Sequence, residues 1–257
     1  MRSLIVLATE SIRRYSPALE RYRFSTSSGG YNKYVIQVIK VKDRLLGNFR
    51  ANSLLRIFVD SSTLLALSGG TSPNYNQMIV IPRNILPGTA CMVDERYGPS
   101  DHTDSNEMVL TQSGLIDFFK SKNVNFVKIL SQLPFEETAF DYDRRLRELF
   151  VKYEKKVAVV GIGNDLHTAG IFANSLAITS PKFVVSQVVN NEFPKRITMT
   201  LKTLKRFNAF IILTFGQEKK EALVRLLADK DGDINKYPAL FFNKTAIKSF
   251  LITDVDL

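Results

Sequence analysis

Four short apolar runs, each ending in a glycine-rich or charged motif, constrain the fold of this chain more than any other feature. The runs are STLLALSGG, TACMVDER, KVAVVGIG and NAFIILTFG. They are accompanied by stretches with helical periodicity, SNEMVLTQSGLIDFFKS, AFDYDRRLRELFVKY and QEKKEALVRLLAD. In the second stretch the spacing predicts an apolar face of Phe140, Leu146, Leu149, Phe150 and Tyr153. Strands alternating with helices predict an α/β fold of three layers, in which helices cover both faces of a mostly parallel, Rossmann-like sheet.

The position of the motifs predicts where a ligand binds. Parallel strands point the same way, so their carboxyl ends meet at one edge of the sheet, and ligand sites lie outside that edge. Each of the four runs carries its motif at its C-terminal end. We therefore expect the motifs, far apart in the sequence, to converge on one site.

Composition limits the kinds of site that the chain can hold. Its 257 residues, 45% of them hydrophobic, suffice for one large domain or two small ones. A single cysteine, Cys91, cannot form an internal disulfide or a CxxC zinc motif, and two histidines argue against a His/Cys metal cluster. No stretch is apolar over the length that a transmembrane helix needs. We expect a cytoplasmic protein without a metal, a cofactor or a membrane anchor.

The basic excess of the chain lies near its N-terminus. Residues 1–60 contain 11 Lys/Arg and 4 Asp/Glu, whereas the remainder is nearly balanced, although the whole chain has a net charge of +10. We predict that residues 1–30 form a basic extension and residues 31–257 the main domain. The extension is Arg-rich, is followed by serines and has apolar residues at helical spacing, which is typical of an organellar transit peptide, although Glu10 and Glu20 argue against one. A solvated extension and a nucleic-acid-binding arm are the alternatives, and we expect no nucleic-acid partner.

The motif SGGTSPN, residues 68–74, is a candidate anion site. Gly69 and Gly70 permit a tight turn that leaves backbone N–H groups uncovered, and Thr71 adds a hydroxyl. Pro73 suits the first turn of a helix, whose N-terminal dipole would point at the same place. The motif lacks the GK[ST] ending of a Walker loop. An ordinary strand-to-helix turn is the alternative.

Three further motifs place charge at the predicted edge. DERYGPSDHTDSN, residues 94–106, opens with a charged triplet where a strand ends, and a solvated loop is the alternative. Arg196 lies near the start of the alternating stretch RITMTL, and Lys219 opens a helix after a strand. Cations disfavour the first turn of a helix unless they face a bound anion. A solvated basic turn explains these two residues equally well.

The motif GIGNDLHTAG, residues 161–170, contains one of the two histidines of the chain. Dinucleotide binding is disfavoured because Leu166 occupies the third glycine position of GxGxxG, and no acidic residue ends the next strand-like run, FVVSQVV. Imidazole titrates near neutral pH, so His167 is suited to act as a general base. A polar histidine that caps a turn is the alternative.

Taken together, these motifs resemble those of the 6-phosphogluconolactonase family, in the superfamily that includes glucosamine-6-phosphate isomerase/deaminase. SGGTSP resembles the SGG[ST]xP loop, DERYGPSDHTDSN resembles DERxVPxxHxDSN, and GIGNDLHTAGIF resembles GxGxDGHTASLFP. AFDYDRRLRELF, PKRITMTL, GQEKKEAL and YPALFF follow in the family order. The resemblance covers roughly residues 60–257, and residues 1–60 match poorly.

The resemblance implies hydrolysis of 6-phosphogluconolactone to 6-phosphogluconate in the oxidative pentose phosphate pathway, without a metal, by a monomer or homodimer. His167 would activate the water that attacks the lactone carbonyl, and Asp165 would set the geometry or charge of His167. Arg96 would bind or polarise the sugar-acid end, and Arg196 and Lys219 would supply charge for the phosphate. The implied substrate-binding residues are Ser68, Gly69, Gly70, Thr71, Asp94, Arg96, Arg196 and Lys219.

Departures from the family pattern leave two alternatives open. The family DGHT reads DLHT here, LFP reads IFA, and DERxVP reads DERYGP. If the family glycine has a positive φ, Leu166 costs about 1–2 kcal/mol and would displace His167, which suggests a non-catalytic sugar-phosphate binder. An amino-sugar-phosphate deaminase is disfavoured, since its pattern has DEY in place of DER and a catalytic Glu where this chain has Phe172.

Overall fold

The computed structural model describes residues 36–80, 84–100 and 102–257. The predicted N-terminal extension, residues 1–30, lies outside this part of the chain. Its role in targeting and the expected absence of a nucleic-acid partner stay predictions. Within the described ranges, no helix has both the length and the apolar character required to cross a membrane.

The described residues form two sheets. Their strands are β1 (Ile36–Lys40), β2 (Thr63–Leu67), β3 (Thr89–Met92), β4 (Asp94–Arg96), β5 (Asn125–Val127), β6 (Lys155–Val160), β7 (Val184–Val188), β8 (Lys195–Met199), β9 (Ala209–Leu213) and β10 (Lys248–Thr253). Seven strands pair in the order β1-β10-β9-β6-β2-β3-β5, and every pairing is parallel. The other three form an antiparallel sheet in the order β4-β8-β7. The predicted α/β class with a mostly parallel sheet is confirmed.

Seven α-helices connect these strands within the described ranges. They are α1 (Arg44–Phe58), α2 (Asn106–Gln112), α3 (Leu115–Ser121), α4 (Phe135–Lys152), α5 (Leu176–Thr179), α6 (Leu201–Leu204) and α7 (Lys220–Ala228). Three 3₁₀ helices add Tyr75–Ile79, Gln217–Lys219 and Pro238–Lys244. The central strands β2 and β9 are buried along their whole length, which explains why they read as unbroken apolar runs rather than as alternating ones.

Two helix predictions are corrected. The stretch SNEMVLTQSGLIDFFKS forms two helices, α2 and α3, because Gly114 between them has a φ of 75°. Phe140 does not belong to the apolar face of α4, since it is 71% exposed, whereas Tyr142 lies fully buried on that helix. A helix in contact with a sheet buries only a stripe, and Phe140 falls outside it.

The run TACMVDER also differs from the prediction, because it contributes to both sheets. Strand β3 ends at Met92, and β4 begins two residues later, in the antiparallel sheet. Val93 joins them: its N–H donates to the Leu67 carbonyl, and its own carbonyl accepts from the Met199 N–H. The charged triplet is therefore a strand in its own right, held against β8, rather than the loop after a strand end.

Candidate active site

The sheet order brings the predicted motifs together. Strands β9, β6, β2 and β3 are successive neighbours and parallel, so the segments that follow them leave from the same edge. The Ser68 N–H donates to the Val159 carbonyl at 3.0 Å, which ties the start of the SGG loop to β6. The four strand ends therefore lie at one edge of the sheet, as predicted, although the charged triplet continues from β3 into the second sheet, and their convergence on one ligand site stays a prediction.

The loop after β2 is shaped by its neighbours. Gly70 has a φ of 86°, a left-handed conformation that favours glycine. A Cβ on Gly69 would collide with the side chain of Asn106, so only glycine fits there. Thr71 is exposed. The loop therefore has the open backbone expected of an anion site, and the assignment of Gly69, Gly70 and Thr71 to phosphate stays a prediction.

The expected α-helix after this loop is absent from the described structure. A short 3₁₀ helix, Tyr75–Ile79, follows instead, so no long helix dipole points at the loop. Asn48 of α1 anchors the chain here: its Nδ2 donates to the Ser72 carbonyl at 3.1 Å, and its Oδ1 accepts from the Asn74 N–H at 2.6 Å. The Asn48 amide thus forms hydrogen bonds with the Ser72 carbonyl and the Asn74 N–H, backbone groups that would bond within the helix in a regular helical turn.

Asp94 links the SGG loop to the second sheet. Its buried carboxylate accepts from the Ser68 hydroxyl at 2.8 Å and from Asn106 Nδ2 at 3.2 Å. Asn106 Nδ2 also donates to the Asp94 carbonyl at 2.9 Å. Both carboxylate oxygens of Asp94 thus accept hydrogen bonds from the protein. Asp94 and Ser68 therefore hold the SGG loop in place. Their direct contact with a substrate stays a prediction.

Glu95 organises the start of α2. Its carboxyl group is fully buried and accepts from the N–H groups of Asn106 at 2.6 Å and Glu107 at 2.8 Å, and from the Ser105 hydroxyl at 3.0 Å. Burial raises the pKa of Glu95 to about 7, and the backbone N–H donors, which favour the ionised form, limit the rise.

Glu95 is therefore expected to make the free energy of unfolding fall with rising pH. In the unfolded chain its carboxyl ionises near 4.5, whereas in the folded protein it stays protonated up to about pH 7. The stabilisation is complete below pH 4.5 and is lost as pH rises through 7, by up to about 3 kcal/mol. Urea unfolding of wild type and Glu95→Gln between pH 4 and pH 8 measures this. In Glu95→Gln the free energy of unfolding should fall less between pH 4 and pH 8 than in wild type. An equal fall in both proteins would contradict a raised pKa of Glu95.

The loop after β6 folds back on itself and carries the candidate base. The Gly163 N–H donates to the His167 carbonyl at 2.9 Å, and the Ile171 N–H donates to the Thr168 carbonyl at 2.9 Å. The Thr168 hydroxyl donates to the Gly161 carbonyl at 2.9 Å. These bonds fix a tight loop at the end of β6, with the His167 side chain one-third exposed.

Leu166 adopts the conformation that the family glycine predicted, with a φ of 62°. Its side chain is only 1% exposed and belongs to the hydrophobic core, and its carbonyl accepts from the Ala239 N–H at 2.8 Å. Burial of a leucine stabilises a fold by about 1.5–3 kcal/mol, which offsets the left-handed backbone cost of about 1–2 kcal/mol. Leu166 is thus accommodated without loss of the His167 contacts described next.

At position 166, glycine is expected to be tolerated at least as well as alanine. Both variants lose the buried side chain, but only Leu166→Gly relieves the left-handed strain of about 1–2 kcal/mol. We expect the free energy of unfolding of Leu166→Gly to equal or exceed that of Leu166→Ala, measured in urea. Leu110, buried in α2, is the matched control, where alanine should be the more stable replacement. A clear advantage of alanine at both positions would contradict the argument.

Asp165 and His167 form a hydrogen-bonded pair. Asp165 Oδ1 lies 2.5 Å from His167 Nδ1 and accepts from the His167 N–H at 3.1 Å. Burial raises the pKa of Asp165, but the hydrogen bond and charge of His167 outweigh it, so the pKa lies below its ordinary value. An ionised Asp165 can only accept, so Nδ1 carries a proton, and the neutral form of the imidazole is the tautomer with no hydrogen on Nε2. Nε2 then carries the lone pair, and no hydrogen bond joins it to any residue that the structure describes.

Arg96 and Arg196 lie opposite each other on β4 and β8. Arg196 is 6% exposed, and its Nε donates to the Phe193 carbonyl at 2.7 Å. Arg96 donates from Nη1 to the Asp104 carbonyl at 2.6 Å. Burial, and then the charge of Arg96, lowers the pKa of Arg196, while Asp94 and Glu95 oppose this. Within the described ranges neither arginine forms an ion pair, so the two adjacent cations are suited to an anionic ligand.

The remaining predicted residues are placed by topology alone. Lys219 ends the 3₁₀ helix after β9, the neighbour of β6, and is half-buried. No described contact joins Lys219 or Thr71 to His167 or to the arginines.

His102 has a structural contact, since its Nε2 lies 3.0 Å from the Arg96 carbonyl. No group of three His, Cys, Asp or Glu side chains that could hold a metal occurs in the described ranges.

Three residues near the site were not predicted from the sequence as site residues. Asn106 holds Asp94 and packs on Gly69, Phe172 stacks on His167, and Phe193 lies against both arginines. Asn106 and Phe172 lie inside the motifs DERYGPSDHTDSN and GIGNDLHTAGIF, and this is the signal that could have found them. Phe193 belongs to the turn between β7 and β8 and carries no such signal.

Several known proteins are similar to this chain in sequence. Curated 6-phosphogluconolactonases of Nostoc sp. and Homo sapiens are 29% and 28% identical to this chain over 187 and 155 residues. These matches cover 69% and 58% of this chain, and 76% and 60% of the two relatives.

Solved structures share the fold at lower identity. The 6-phosphogluconolactonase from Plasmodium vivax has a TM-score of 0.72 at 19% identity, over 89% of this chain and 93% of that one. The enzyme of the same name from Trypanosoma brucei has a TM-score of 0.66 at 21% identity, over 87% and 97%. The model of the family glucosamine-6-phosphate isomerases/6-phosphogluconolactonase matches residues 56–251. The chain therefore belongs to the glucosamine-6-phosphate isomerase/6-phosphogluconolactonase family.

Proposed function

We propose that this protein hydrolyses 6-phospho-D-glucono-1,5-lactone to 6-phosphogluconate. The observation that carries the proposal is the Asp165–His167 pair, in which a 2.5 Å hydrogen bond leaves Nε2 as the basic nitrogen. The names of the curated relatives support the choice of a lactone among the substrates of the family. The pair of cations on β4 and β8 supports an anionic substrate.

His167 acts as a general base in this mechanism. Nε2 takes a proton from water while the water oxygen attacks the lactone carbonyl, and the charge moves onto the carbonyl oxygen. When the tetrahedral intermediate collapses, the bond from the carbonyl carbon to the ring oxygen breaks. The imidazolium returns its proton to that oxygen, which leaves as a hydroxyl. Asp165 holds the imidazole in the required tautomer and stabilises its charged form.

The cations and the SGG loop bind the substrate in this proposal. Backbone N–H groups of Gly69 and Gly70 and the Thr71 hydroxyl hold the phosphate, with Arg196 and Lys219 supplying charge. Arg96 lies beside Arg196 and binds the sugar-acid end, where it stabilises the oxyanion. The imidazole supplies the base without a metal, so a chelator should not change the rate.

Two alternatives from the same family are less well supported. A deaminase is disfavoured because Phe172, where the deaminase pattern has its catalytic Glu, packs its apolar ring on His167. A non-catalytic binder was suggested by Leu166. The side chain of Leu166 is buried in the core, and the Asp165–His167 hydrogen bond is intact beside it, which favours catalysis.

Parallel assays of two substrates test the proposal. The purified protein is supplied with 6-phosphogluconolactone, with acid release followed, and with glucosamine 6-phosphate, with ammonia followed, each with and without EDTA. We expect lactone hydrolysis that EDTA leaves unchanged, and no ammonia. Ammonia release would favour the deaminase. Saturable binding of 6-phosphogluconate without hydrolysis would favour the non-catalytic binder.

A further inference from the structure

His167 and Phe172 are brought together by a two-residue turn. Thr168 and Ile171 pair across it as an antiparallel bridge, with Ala169, whose φ is 53°, as the first residue of the turn. His167 and Phe172 are the next pair across, and facing residues of antiparallel strands have neighbouring side chains. Their ring centroids lie 4.4 Å apart, and the ring planes are inclined by 26°, which is a stacked arrangement.

The stack continues into the arginine pair. The Arg196 guanidinium carbon lies 5.5 Å from the centroid of Phe172 and 5.8 Å from that of Phe193. The Arg96 guanidinium carbon lies 5.3 Å from the centroid of Phe193. Five side chains thus form a continuous series, in which each contacts the next: His167, Phe172, Arg196, Phe193 and Arg96. Arginines are attracted to the faces of aromatic rings, so these contacts hold each group in place.

The imidazole needs such a contact because its hydrogen bond fixes it only in part. The bond to Asp165 restrains Nδ1 alone, and the Asp165 side chain that accepts it is itself 60% exposed, so torsions about the Cα–Cβ and Cβ–Cγ bonds can still tilt the ring. A ring stacked on the imidazole fixes its plane and therefore the direction of Nε2. Phe172 also contacts Arg196, so one ring sets the placement of the base relative to the cation.

We propose that Phe172 is a positioning residue, whose ring orients His167 Nε2 and sets its placement relative to Arg196. This inference rests on the proposed function, in which His167 is the base and Arg196 binds the anion. Phe172 itself exchanges no proton and need not touch the substrate.

Lactone hydrolysis by Phe172→Leu and Phe172→Tyr tests the role. Leucine keeps the apolar bulk but removes the aromatic face, so kcat should fall about tenfold while KM changes less than threefold. Tyrosine keeps the ring and should recover most of the lost rate. Phe118→Leu is the matched control. Phe118 of α3 is half-buried, as Phe172 is, so this variant measures how far a Phe→Leu change lowers the rate through stability alone. A Leu variant with wild-type kcat, or a Tyr variant as slow as Leu, would overturn the proposal.

Proton NMR of the imidazole provides a readout that does not depend on activity. The chain has only two histidines, so the His167 signals are assigned by their loss in His167→Gln. Stacking on Phe172 should shift them upfield in wild type, and Phe172→Leu should abolish the shift. Unshifted wild-type signals contradict the positioning role. Shifted signals in a protein that does not hydrolyse the lactone contradict the proposed function while leaving the stack established.

Discussion

Replacement of His167 by alanine is expected to lower kcat for 6-phosphogluconolactone by about 10²- to 10⁴-fold, the usual contribution of a positioned general base. His167 Nε2 is the nitrogen assigned to take the proton, since Nδ1 is hydrogen-bonded to Asp165 at 2.5 Å. No other imidazole can take over, since His102 is bonded to the Arg96 carbonyl. Steady-state kinetics, corrected for spontaneous hydrolysis, measure the effect.

Binding of the product is the control for this variant. The imidazole is not assigned to substrate binding, so the dissociation constant of 6-phosphogluconate should stay within about threefold of wild type. Since each factor of ten corresponds to about 1.4 kcal/mol, such a change is small beside the expected loss in kcat. A His167→Ala variant that keeps more than half of the wild-type kcat would contradict the assignment of the base.

Arg196→Met is expected to raise KM by about 10- to 100-fold. The substitution removes hydrogen bonds between a charged donor and an anionic ligand, each worth about 1.5–3 kcal/mol, while it keeps an unbranched side chain. Arg196 is almost fully buried, so water screens its charge weakly. KM for the lactone and the dissociation constant of 6-phosphogluconate should rise together.

Lys195, next to Arg196, provides the control that distinguishes a specific contact with the substrate from general attraction by positive charge. Lys195 precedes Arg196 on β8 but is exposed, and its Nζ lies over the rings of Tyr97 and Phe135. Lys195→Met removes the same charge and should change KM less than threefold. Equal increases in both variants would mean that the basic surface attracts the substrate without a specific role for Arg196.

The convergence of the motifs could be predicted from the sequence because buried parallel strands have an unmistakable pattern. Strands β2, β6 and β9 are covered on both faces, so each reads as an apolar run, and the motif after each run marks its carboxyl end. Asp165 and His167 lie two residues apart, so their contact depends on one loop alone. The resemblance to the family identified that loop.

The parts that escaped prediction depend on long-range contacts. TACMVDER contains no glycine or proline to mark its division between two sheets, and the division is made by pairing of β4 with β8, about a hundred residues away in the sequence. The side chain of Phe172 reads as one more apolar residue after His167. Its role depends on the turn at Ala169 and on Arg196 of a different strand.

Hydrolysis by His167 is tested most directly by the initial rate at which the purified wild-type chain opens 6-phosphogluconolactone, compared with buffer alone and with His167→Ala under the same conditions. We expect a rate for wild type that is proportional to protein concentration and well above the spontaneous rate, and a rate for the variant close to that of buffer. A wild-type rate equal to buffer, or equal to that of the variant, would contradict it.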